Sequence, residues 1–125
     1  MSRVLVPVEP IREALERATE RVRQEYAVSP RTRTGDAGLI APVDAVAREI
    51  SGYTGKKLDT VQRTVFRIRN GYDHKAGRQG CVRAPVASVT FEIADEILCA
   101  LGMVERWYTD PRLREVYELL GDEAA

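Results

Sequence analysis

The sequence predicts an all-α protein, a single-domain helical bundle of about five helices with a long basic loop or short hairpin after the third. Three observations lead there. Apolar residues recur every three or four positions through most of the chain, which is the spacing of one helical face. Helix punctuation falls between those runs, at Pro10, Pro42, Gly71, Thr90, Gly102 and the pair Asp110-Pro111. With 125 residues, 44% of them hydrophobic and 30% charged, the chain suffices for one globular core and is short for two. The expected organisation is an N-terminal helix and linker over 1–41, a core over 42–120 and an acidic tail over 121–125, all in one compact domain.

The first helix is expected over 9–28, with Ile11, Leu15, Ala18, Val22 and Tyr26 on one face, Pro10 in the first turn and an i,i+4 pair between Glu13 and Arg17. That stripe approximates a heptad, so it can pack on its own domain or on a second copy. Ser29 to Ala41 contains proline, two glycines and small polar residues and reads as a loop carrying Arg31 and Arg33. The second helix is expected from Pro42 to about Ser51, with Val43, Val46, Ala47 and Ile50 inward. Gly52, Thr54 and Gly55 then turn the chain, so that about seven residues, Gly52 to Leu58, precede the third helix.

The third helix runs from Leu58 or Asp59 to Asn70, where Asp59 or Thr60 can cap the first turn and Gly71 is a left-handed stop. Leu58, Val61, Val65 and Ile68 form its inner face, leaving Gln62, Arg63, Phe66, Arg67, Arg69 and Asn70 for solvent or a groove. Tyr72 to Ser88 follows as the long basic segment. A fourth helix, Thr90 to Leu101, has Thr90 as cap, Glu92 favourable in its first turn and Gly102 as stop; Phe91, Ala94, Ile97, Leu98 and Leu101 are its apolar side. Trp107 and Tyr108 are expected to close the core against the third and fourth helices. The last helix starts at Asp110-Pro111, packs through Leu113, Val116, Tyr117 and Leu120, and frays from Gly121.

Charge is unevenly spread behind a net charge of zero. Met1 to Gly55 holds 8 basic and 8 acidic residues; Lys56 to Arg83 holds 8 against 2; Thr90 to Ala125 holds 3 against 9. A cationic segment centred on one amphipathic helix is the electrostatic footprint of nucleic-acid binding. No apolar run approaches the roughly 20 residues of a membrane span. The opening Met1-Ser-Arg-Val-Leu-Val-Pro is too short for a secretory signal, so the expected location is cytoplasmic, on the nucleoid. Cys81 and Cys99 suit free thiols in a reducing compartment. The single histidine, His74, lacks a nucleophile and orienting acid at recognisable spacing, and with Cys81 supplies too few ligands for zinc. The expectation is therefore no enzyme, no cofactor and no metal.

Two segments, T-V-F-R-I-R-N-G at Thr64 to Gly71 and V-T-F-E-I-A-D-E-I-L-C-A-L-G at Val89 to Gly102, are similar to the end of the recognition helix and to the next helix of the lambda-repressor-like (Cro/Xre) helix-turn-helix proteins. The likeness is to their small actinobacterial and actinobacteriophage members and spans roughly Pro42 to Trp107. It departs in the seven-residue interval and in the length of the segment after the third helix. The resemblance implies a sequence-specific double-stranded DNA-binding protein, a transcriptional regulator or repressor, with the third helix in the major groove. Gln62 and Arg63 then read base edges, Gln to adenine and Arg to guanine. Arg67, Arg69, Lys56 and Lys57 suit phosphates, with Asn70 at the end of the helix. Phe66 meets thymine methyl groups or joins the core beside Leu58. Arg78 and Arg83 serve an extended arm or merely keep a loop charged.

One such unit buries a modest interface, so a homodimer is expected through the helix at 9–28 or the region 107–120. Two other functions remain open at this level: a protein-binding module on the same scaffold that docks a host factor, and a DNA-bending accessory factor for recombination.

Overall fold

The computed structural model describes the backbone of residues 4–28, 34–35, 38–70, 72–75, 81–84 and 86–124, and the side chains of 4–25, 40–70 and 86–119. It is a mostly helical bundle. In chain order the elements are β1 (Leu5–Pro7), α1 (Val8–Val28), β2 (Thr34–Gly35), β3 (Gly38–Leu39), α2 (Pro42–Thr54), α3 (Leu58–Asn70), β4 (Tyr72–Lys75), β5 (Cys81–Ala84), β6 (Ser88–Thr90), α4 (Phe91–Ala100), α5 (Arg106–Thr109) and α6 (Pro111–Ala124).

Around α1 the core assembles. Val8, Ile11, Ala14, Leu15, Ala18 and Val22 are buried, and the helix packs on α2, α3 and α4. The stripe of α1 from Ile11 to Val22 is thus covered within its own chain, and the Tyr26 side chain lies outside the described ones. Thr19 sits in this face and donates its hydroxyl to the Leu15 carbonyl at 2.8 Å, so its burial leaves no orphan polar group. Glu13 does not pair with Arg17 along the helix. It reaches Arg112 on α6 at 2.8 Å instead.

Three small antiparallel ribbons accompany the helices: β1 with β6, β2 with β3, and β4 with β5. The first escaped the sequence reading because three residues cannot display an alternating pattern. Its register sets Val6 opposite Val89, both buried, and two further backbone bonds extend it, Val8 N to Ala87 O at 3.1 Å and Phe91 N to Val4 O at 3.0 Å. Residues Thr34–Gly35 and Gly38–Leu39 form a minimal ribbon where a loop was expected; Arg31 and Arg33 lie outside the described residues. Tyr72–Lys75 and Cys81–Ala84 make the segment after α3 a hairpin, with Tyr72 opposite Ala84 and Lys75 opposite Cys81.

The expected end of α2 needs correction. The helix continues through Gly52 to Thr54, and only Gly55, Lys56 and Lys57 separate it from α3. Gly55 takes the left-handed conformation, φ 76°, and donates its N–H to Ser51 O at 2.9 Å. Side chains finish the turn: Thr54 Oγ1 donates to Ile50 O at 2.9 Å, and Ser51 Oγ donates to Lys56 O at 2.7 Å. Gly52, an apparent terminator in the sequence, is an ordinary helical residue because the capping bonds are made one turn later.

At α4 the sequence expectations hold. Thr90 Oγ1 accepts from Ile93 N at 3.4 Å, and Gly102, φ 69°, ends the helix with Met103 N bonded to Leu98 O at 2.8 Å. Trp107 on α5 is fully buried, 4.9 Å from the Phe91 ring and 6.2 Å from Tyr117, and donates Nε1–H to Asp95 Oδ1 at 3.0 Å. Its neighbour does not close the core: Tyr108 is 54% exposed and stacks edge-on with Tyr117. Leu113 and Val116 bury α6, Tyr117 is partly exposed, and Leu120's side chain lies outside the described ones. The helix runs from Pro111 through Ala124. No described helix is long and apolar enough to cross a membrane.

Candidate nucleic-acid interface

Thirteen residues of α3 rise about 20 Å at 1.5 Å each. Val61, Val65 and Ile68 are buried and fix which way the helix faces. At about 100° per residue the line opposite them carries Asp59, Arg63 and Asn70, with Phe66 and Arg67 close on either side. Arg63 and Arg67 are exposed, as Asp59 is, and Asn70 is half-buried. Phe66 does not join the core beside Leu58; it is 43% exposed. This ridge is therefore cationic in its middle and carries one apolar ring.

The remaining expected contacts are distributed differently. Gln62 is half-buried on the flank of α3 that meets α2, beside a hollow of about 190 Å³ shared with Val43, Asp44 and Ala47. Arg69 lies on the same flank and donates Nε–H to Glu16 of α1 at 2.8 Å. Lys56 donates Nζ–H to Glu96 of α4 at 2.6 Å. Lys57, in the turn, is exposed. Arg83 falls on β5 opposite Asp73, its side chain beyond the described ones, and Arg78 lies outside the described residues altogether.

Residues that the sequence reading did not select hold α3 in place. Arg12 of α1 donates Nε–H to the Ile68 carbonyl at 2.9 Å, satisfying one of the free carbonyls of the last turn. Glu16 and Glu96 hold the cations at its two ends. No local signal marks these three, since their partners lie 56, 53 and 40 residues away.

A second charged cluster lies away from α3. A hollow of about 470 Å³ between α1 and the α5–α6 corner is lined by both signs of charge. There Arg112 bonds Asp110 at 2.7 Å and Glu13 at 2.8 Å, while buried Arg106 donates to the Pro10 carbonyl at 3.0 Å. The hydrogen bonds from Arg112 hold the carboxyls of Glu13 and Asp110 below the usual carboxylate range. Burial, then the neighbouring Asp95 charge, pushes the Cys99 thiol up, which disfavours the reactive thiolate. Among the described residues no group of three His, Cys, Asp or Glu stands close enough to hold a metal ion.

No protein-family model, no curated protein and no solved structure matches the chain.

Proposed function

We propose that this chain is a sequence-specific double-stranded DNA-binding protein, a transcription regulator that reads the major groove with α3. The observation that carries the reading is the outer ridge of that helix, where Arg63 and Arg67 stand exposed opposite a fully buried face, three residues after α2. A helix of this diameter fits a groove about 12 Å wide, and an exposed arginine can give guanine two hydrogen bonds at once. Arg63, in the middle of the ridge, is the base reader; Arg67 and Lys57 take phosphates, and Phe66 offers a face to thymine methyl groups. Gln62 ranks below Arg63 because it leans toward α2.

The hairpin of β4 and β5 leaves directly from the end of α3, which supports its use as an arm along the same duplex, with Arg83 and Arg78 as its cations. A two-copy arrangement on a paired half-site would raise specificity. Since the α1 stripe is buried, exposed Tyr108, Tyr117 and Leu119 favour the region 107–120 for that contact.

Selection from a random duplex library, followed by titration of the enriched duplex at several salt concentrations, tests the reading. Enrichment of a short site with steep salt dependence is expected. Uniform weak binding with a measurable bend would turn the assignment toward a recombination accessory, and a stoichiometric protein complex without duplex affinity toward a protein-docking module.

A further inference from the structure

Two cations of the basic segment are already held by carboxylates from distant parts of the chain, one at each end of α3. Lys56, just ahead of the helix, meets Glu96 at 2.6 Å, and Arg69, in its last turn, meets Glu16 at 2.8 Å. Sequence separations of 40 and 53 residues mean that packing of α4 and α1 against the helix-turn-helix brings each carboxylate there. Both pairs lie at the surface, where an ion pair contributes little to folding. Their effect on a polyanion is larger. A lysine facing a carboxylate offers a phosphate little net charge, and the carboxylate itself repels that phosphate.

We propose that Glu96 and Glu16 withhold Lys56 and Arg69 from the phosphate backbone, so that duplex binding depends on the ridge of Arg63 and Arg67. The inference rests on the DNA-binding reading above and adds a physical consequence to it. Phosphate contacts raise affinity for every sequence alike, whereas base contacts raise it for one. Muting the end cations lowers affinity for target and non-target duplex by the same factor, so the protein is held less tightly on DNA at large while the discrimination supplied by the base contacts is unchanged. The basic segment then has less phosphate-binding capacity than its eight basic and two acidic residues suggest.

The test is a double-mutant cycle on Lys56 and Glu96, read as duplex affinity against salt. Glu96→Gln should raise affinity for a random-sequence duplex roughly three- to tenfold at 0.1 M salt and steepen the slope of log K against log salt by about 0.9, one phosphate contact. In a Lys56→Gln background the same change should leave the slope unchanged and raise affinity only by the smaller factor that relief of the carboxylate's own repulsion supplies. Glu115→Gln on α6, an exposed carboxylate, controls for the loss of a negative charge elsewhere on the surface, and Glu16→Gln tests the other end independently. Unchanged affinity in both Glu96→Gln and Glu16→Gln, an undiminished effect without Lys56, or an equal effect from Glu115→Gln would overturn the inference alone. A wild-type chain without duplex affinity would remove the DNA reading and this inference with it.

Discussion

Arg63 and Arg69 lie on one helix, about 120° apart around its axis, and the fold separates their roles. Arg63 points away from the buried face of α3, while Arg69 reaches Glu16. Arg63→Ala should therefore lower affinity for the selected duplex by about 1 to 3 kcal/mol and leave the melting temperature unchanged. Equal binding by the two proteins would remove Arg63 from the site. Arg112 illustrates the opposite case, a cation committed to structure. Its bonds hold the folded-state pKa of Glu13 and of Asp110 below the values near 4 of an unfolded chain. Stability from these groups is complete above pH 4 to 5 and is lost as pH falls through the depressed folded values. Arg112→Gln should flatten the acid limb of a plot of melting temperature against pH between 6 and 2; parallel curves for the two proteins would contradict this.

At the scale of elements, the turn between α2 and α3 depends on Gly55. Its φ of 76° disfavours any residue with a Cβ, and a Cβ there would meet nothing within 4 Å. Gly55→Ala should thus cost about 1 kcal/mol, a purely conformational penalty. A urea titration measures it, and a much larger loss would point to a contact that the open surroundings of Gly55 do not contain. The α4, α5 and α6 corner depends on Trp107, whose ring contacts Phe91 and Tyr117 and whose Nε1 bonds Asp95. Trp107→Ala should destabilise by about 3 to 5 kcal/mol. Caps such as Thr90 and Asp110 were legible because they bond within their own turn, Thr90 to Ile93 and Asp110 to Arg112. The end of α2 was not, because Gly52, expected to open the turn with Thr54 and Gly55, stays helical while Ser51, Thr54 and Gly55 make the capping bonds.

For the whole molecule, the ribbon of β1 and β6 ties the strand ahead of α1 to the strand ahead of α4. Val6 is fully buried beside Val89, and Leu5–Pro7 thereby pair with the strand that leads into α4. Val6→Asp would place an unpaired charge in that position and should cost about 3 kcal/mol or more. Helical signal and Trp107 fluorescence should then shift together on melting; separate transitions would show that the ribbon is outside the cooperative unit. The positions of the long helices, the faces they turn inward and the collection of positive charge between Lys56 and Arg83 were legible in the sequence, because all three follow from residues a few positions apart. Which of those cations stay available was settled by packing. Glu16, Glu96 and Glu13 find Arg69, Lys56 and Arg112 across 53, 40 and 99 residues, and which charges meet at such distances is set by how the helices pack.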